Sequence, residues 1–390
     1  MALKKKIGVQ GGVVLLLLPF LLLGCRGPER PTLFPEIAEA LVLKERAAEY
    51  LWSQQGADGG WHSSTHGLLK GGDAYTPYIL FHLLEASPAA VQKRRQPVAQ
   101  ALTFIRQRIN EAGALGFSDP LILEYPNYAT AYGLRVLAQY GATEDAQPVA
   151  SMRAYLRDQQ FGMRRGLNGD DPEFGGWGFG EAELPHGQAG HVDLSHTRRI
   201  LQALDQTAGL YEEDAARAFL LHLQNRQLID SPHAAYYDGG FHYAPVFLAN
   251  KGAVTPLDDQ TVFHSYATAT CDGLLALNAM GVSREDPAVQ DGLAWLARND
   301  SLAFPQGIPP NTPASWDRVM FFYHLAVRAE VYARYSWPPG KRQAMYALLA
   351  EHVRPDGSYL NPLGAPNKEN DPLLATTMAL IALHYLTTEA

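Results

Sequence analysis

The chain has 390 residues, 47% hydrophobic and 18% charged, with a formal charge of −8. This is a globular composition with ample apolar material for a core, and the absence of any Lys/Arg-rich run argues against nucleic acid as a partner. Two cysteines, Cys25 and Cys271, make no disulfide framework, and neither a CxxC pair nor an HExxH offers a metal site, so no metal or cofactor is expected.

Residues 1–24 read as an export signal. Lys4, Lys5 and Lys6 precede an apolar run from Val13 to Leu23 that is too short to span a bilayer comfortably. Losing this segment removes three lysines and no acid, which takes the remainder to about −11. Leu22-Leu23-Gly24-Cys25 resembles a bacterial lipobox. The resemblance implies cleavage before Cys25, lipidation of its thiol, and a protein anchored to a membrane of the cell envelope. Residues 25–35, with three prolines, read as a tether.

Residues 36–390 alternate helical segments with Gly/Pro/Asn-rich breaks, and an aromatic follows each break: Trp61, Phe117, Trp177, Phe241, Phe304 and Tyr359. The intervals of 55 to 64 residues give six units, each long enough for two helices. The clearest copy is Arg46 to Trp61, RAAEYLWSQQGADGGW. Tyr50 and Leu51 suit a buried helix face, Gly56 and Gly59-Gly60 permit a tight turn, and Trp61 can pack back on the helix end near the Gln55 amide. Ala154 to Trp177 and Arg217 to Phe241 repeat it. In each unit the second helix is apolar on most sides, as in Tyr75 to Leu84, Leu194 to Leu204 and Leu373 to Leu386, so it belongs to an inner ring. First helices such as Glu36 to Ser53 carry charge on one face. The expected fold is all-α, an (α/α)6 toroid of six helical hairpins, with an open solenoid as the alternative.

The Arg46 to Trp61 spacing resembles the QW repeat of squalene-hopene cyclases, within the terpenoid-cyclase and protein-prenyltransferase toroid superfamily. The resemblance covers about residues 40 to 390 and speaks to fold more than to activity. Cyclases of this kind begin an inner helix with a DxDD motif whose middle Asp protonates an alkene. Here the register is Asp193-Leu194-Ser195-His196-Thr197, so Ser195 stands where the acid belongs, and squalene-type cyclisation is not expected. Pro256-Leu257-Asp258-Asp259-Gln260-Thr261 reads as a loop rather than a second copy. The prenyltransferase branch holds zinc through Asp, Cys and His; Cys271-Asp272 lacks that spacing and reads as a small buried hydrophobe.

Each inner helix opens with polar or aromatic residues, and in a closed ring all six openings face one cavity. Asp193, His196, His264 and Asp317 are the candidate catalytic groups, since a His beside Asp suits proton transfer. Asp73, Tyr75, Tyr128, Ser195, Tyr266, Trp316 and Asp371 are the candidate substrate-binding groups. The Asp and Ser residues serve equally as helix N-caps. The resemblance implies a small apolar or isoprenoid-like ligand, bound or transformed. Two other functions stay open: a polysaccharide lyase or glycosidase, the latter needing two carboxylates across its cleft, and a non-enzymatic envelope scaffold.

Overall fold

The structure, a computed structural model, describes residues 35–180, 192–226, 236–246, 249–257, 261–310, 312 and 314–388. Cys25, Asp258, Asp259 and the histidines 186, 191 and 233 lie outside them.

Among the described residues, twelve main helices alternate along the chain. The odd-numbered ones are α1 (Pro35–Ser53), α3 (Arg95–Arg108), α5 (Ala146–Asp158), α7 (Glu213–His222), α9 (Pro287–Arg298) and α11 (Lys341–His352). The even-numbered ones are α2 (Tyr75–Ala86), α4 (Pro126–Tyr140), α6 (Leu194–Gln206), α8 (Ala267–Ala279), α10 (Phe321–Tyr335) and α12 (Pro372–Thr387). The even helices are buried almost throughout: eleven of the twelve residues of α2 and twelve of the thirteen of α8 are inaccessible. Each packs on the next, and α12 packs on both α2 and α1, so the ring is closed. An open solenoid would leave the faces of α2 and α12 bare. A short antiparallel hairpin, β1 (Val254–Pro256) with β2 (Thr261–Phe263), precedes α8.

One turn, repeated, joins these hairpins. The Trp61 and Trp177 indoles are fully buried and donate to the carbonyls of Leu51 and Leu156, at the open ends of α1 and α5. The same residues' backbone N–H groups donate to Thr76 Oγ1 and Thr197 Oγ1 on the following inner helix. Phe241 and Tyr359 do likewise with Thr270 and Thr376. The glutamine before each strong turn acts as a clamp. Gln55 Nε2 donates to Gly59 O and Pro97 O, Gln160 Nε2 to Gly175 O and Glu212 O, and Gln224 Nε2 to Gly239 O and Ala288 O. Each amide therefore ties its own turn to the start of the next outer helix. Gly175, at φ 94°, sits so close to that helix that a Cβ would lie 1.8 Å from Ala215 O.

Two breaks differ from the sequence reading. In the second unit Leu115, not Phe117, is buried and donates its N–H to Thr130 Oγ1. In the fifth, Leu302 is buried while Phe304 is 45% exposed. Both buried positions fall two residues before the aromatic, because an aliphatic side chain fills the aromatic's place.

Candidate ligand-binding site

The first turns of all six inner helices converge on a cavity of 320 Å³. Tyr75 and Tyr78 of α2, Tyr125 and Tyr128 at the start of α4, and Ser195, His196 and Arg199 of α6 line one side. Tyr266 and Thr268 at α8, Tyr323 of α10, and Leu374 and Met378 of α12 line the other. Loops add Phe179, Tyr243, Lys251, Trp316 and Lys368. Among the described residues no Asp or Glu faces this space. Four described non-glycine residues adopt positive φ: Tyr125, Ala208, Ser315 and Lys368. Tyr125 and Lys368 line the cavity, and Ser315 sets the backbone of Trp316. Such backbone is held against a conformational cost and tends to gather at functional sites.

Asp193 ends the approach to α6 and is its N-cap, accepting from His196 N at 2.9 Å. The same carboxylate accepts from Ser195 Oγ at 3.1 Å and meets His196 Nδ1 at 2.7 Å. Burial alone would raise Asp193; the adjoining His196 and the nearby Lys251 outweigh it and hold the acid below its ordinary range. His196 packs against Phe179 at 4.8 Å and edge-on to Tyr128 at 5.0 Å. Its Nε2 is buried with no hydrogen-bond partner. With Nδ1 fixed by Asp193, Nε2 is the atom left to take or give a proton. Ser195 Oγ also lies 3.0 Å from the Tyr243 hydroxyl.

Three cations face the same space. Lys251 Nζ sits 4.0 Å from the Tyr243 ring centre and 5.3 Å from that of Trp316. Burial lowers its pKa to about 8, against the opposing pull of Asp193. Lys368 lies 5.4 Å over Tyr125. Arg199 donates to the Tyr128 hydroxyl and stands 3.9 Å from Glu330.

Beneath the cavity the axis of the ring is filled. Arg198, fully buried, bonds Asp272 at 2.8 Å and also Glu330. Gln202 completes Glu330, and the Tyr323 hydroxyl donates to Asp272 at 2.6 Å. Burial penalises both acids; the two arginines hold Glu330 below its ordinary value, while Asp272 stays above. Further along, His82 bridges Glu85 and the Tyr132 hydroxyl.

Of the residues singled out in the sequence, Tyr75, Tyr128, Ser195, His196, Tyr266 and Trp316 share this cavity, with Asp193 directly behind His196. Four others do not reach it. Asp73 lies before α2 begins and is consumed by Arg108 and the backbone of Gly116 and Ser118. Asp371 caps α12 and also accepts from Ser63 and Tyr75. His264 follows the β-hairpin, where it bonds Thr255 and meets the Tyr236 ring. Asp317 opens instead onto a second cavity of 660 Å³, walled by Phe304, Phe321, His352 and Leu363. The expectation that Asp193, His196 and His264 ring one pocket with Asp317 on its rim is therefore corrected: extended backbone before α8 and a short helical turn at Trp316–Val319 carry the last two away. Cys271 is fully buried, its thiol pushed up to about 12 by desolvation. Lys251 and Tyr243 escaped notice because they come from a long loop without periodicity. Arg199 was passed over because it stands beside Arg198 within a helix read as part of the apolar inner ring.

No family model and no curated protein matches the chain. Among solved structures it is similar to a type II terpene cyclase from Scytonema in complex with its substrate geranylgeranyl dihydroxybenzoate. The TM-score is 0.55 at 15% identity, over 91% of this chain and 98% of that one. It is similar, too, to an α-1,6-mannanase from Salegentibacter sp. HEL1_6 in complex with α-1,6-mannotriose, with TM-score 0.53 at 11% identity over 89% and 98%. A protein from Actinoplanes gives 0.55 at 16% over 90% and 100%. At these identities the likeness is one of fold, and the fold is an all-α toroid.

Proposed function

We propose that the ring's cavity binds an isoprenoid- or lipid-like molecule, and that the Asp193–His196 pair is the group through which any proton transfer to it would run. The observation that supports this is the wall itself: seven tyrosines, a tryptophan and a phenylalanine surround the space, and no carboxylate among the described residues faces it. Aromatic faces pack well on branched apolar chains and on electron-poor carbon. A glycosidase needs two carboxylates flanking its bond; Asp193 lies behind His196, Asp317 opens onto the second cavity, and Asp371 caps α12 and accepts from Ser63 and Tyr75, so neither Asp193 with Asp317 nor Asp193 with Asp371 stands as a facing pair in this cavity. The same reading keeps the protein in the cell envelope, anchored through Cys25 and able to meet ligands drawn from a membrane. Calorimetry with geranylgeraniol and with α-1,6-mannotriose tests the ligand class. Binding of the alcohol alone supports the proposal; binding of the trisaccharide alone overturns it in favour of carbohydrate chemistry. For the anchor, Cys25→Ser should abolish palmitate labelling, and unchanged labelling would remove that part.

A further inference from the structure

Resting on that reading of the cavity as an apolar-ligand site, the geometry points to a ligand with an anionic head, a carboxylate or a phosphate, held between Lys251 and Lys368 on either side of His196, with its apolar tail directed down among the tyrosines.

The argument starts from charge. The chain is acidic overall, at −8, yet the cavity wall carries Arg199, Lys251 and Lys368 and no facing acid among the described residues. Arg199 is already matched: Glu330 stands 3.9 Å away and the Tyr128 hydroxyl takes its Nε–H. The lysines are not. Among the described residues the Lys251 ammonium donates to the Ala249 carbonyl, Lys368 makes no side-chain hydrogen bond, and neither has an ion pair. Asp193 acts on Lys251 electrostatically, but its oxygens are hydrogen-bonded to His196 Nδ1, His196 N and Ser195 Oγ. Both ammonium groups are kept against aromatic faces, Lys251 over Tyr243 and Trp316 and Lys368 over Tyr125, instead of extending freely into water. Lys368 is held there by a backbone at φ 63°, a conformation a lysine rarely adopts. An ammonium has three donors, and most of these six are unspent. Tyr125 stacks on the His196 ring at 6.3 Å, and Tyr243 touches Ser195, so the two lysines flank the Asp193–His196 pair. A charged oxygen set between them would receive charge-assisted hydrogen bonds from both sides. The floor, where Arg198, Arg199, Asp272 and Glu330 balance one another, offers no such vacancy for charge.

Calorimetry at pH 7 with three probes of one chain length tests this: farnesol, farnesoic acid and farnesyl monophosphate. At least one anionic probe should bind tenfold or more tightly than farnesol, and the one that gains identifies the head. Lys251→Met with Lys368→Met should erase that preference, bringing the anionic probes down to the affinity that farnesol has for the same variant. Lys368→Met alone, in a half-exposed turn, should lower the anionic affinity several-fold. Equal binding of all three probes would overturn the anionic head while leaving the apolar-ligand reading intact. A preference that survives the double variant would overturn the assignment to these lysines. If no probe binds, the apolar-ligand reading itself falls.

Discussion

The upper and lower halves of the ring's interior are built from the same six helices and end up opposite in kind. In the first turns, large aromatics stand around 320 Å³ of open space. One to two turns further, Arg198, Asp272, Glu330 and Gln202 close the axis with mutual hydrogen bonds. The lower half pairs its charges with one another, although Arg198 Nε and Gln202 Oε1 are left without a partner, while the upper half leaves His196 Nε2 and two lysines without a charged partner among the described residues. Binding capacity in this ring is therefore a matter of where along the axis the charges stop pairing.

The sharpest way to break this contrast is to remove a charge from the filled half. Arg198→Met leaves Asp272 and Glu330 buried without their main partner, and should cost about 3–5 kcal/mol in urea unfolding. Tyr128→Phe at the chamber wall loses one hydroxyl contact with Arg199 and should cost about 1 kcal/mol. Acid should act on the buried histidines as well. Burial lowers the pKa of His82 to about 4, with Glu85 opposing, and that of His324 to about 3, with Arg328 adding to the effect. Such groups favour the folded state above their ordinary value of 6.5, where both states are neutral; that stability is lost as pH falls from 6.5 toward the folded values. The melting temperature should decline steadily below pH 6.5, and less so in His82→Phe. Overpacking gives the cleanest comparison. Ala203→Leu, fully buried in α6, should cost about 1–3 kcal/mol, whereas Ala74→Leu, beside open space, should stay within about 0.5 kcal/mol.

The same contrast explains what could be read from the chain. The ring was legible because inner helices apolar on most sides and regularly spaced breaks are local properties; the span Leu194 to Leu204 falls inside α6, Leu194–Gln206. The turns at Trp61, Trp177, Phe241 and Tyr359 were legible because glycine and an aromatic mark them together. Leu115 and Leu302 were not, since leucine in a break carries no distinguishing signal. Within the site, residues inside the first turn of a helix, such as Tyr128, Ser195 and His196, were placed together by the repeat and by the resemblance of Asp193 to Thr197 to a motif that opens an inner helix. Asp73, Asp317 and His264 precede or flank the main helices, where direction depends on loop conformation. Lys251 reaches the wall only because the loop before α8 folds back, which is a tertiary fact.

The glutamine clamps bear on how such a chain tolerates change. Gln55, Gln160 and Gln224 each grip main-chain carbonyl oxygens of the neighbouring unit, and every amino acid supplies a carbonyl. The joint between units therefore places little demand on which side chains the next outer helix carries. Over generations that helix is free to exchange its residues so long as its backbone arrives on time, and the joint still closes. A ring fastened this way can keep its shape while its letters are replaced, which accords with structural neighbours that share its outline at only 11 to 16% identity.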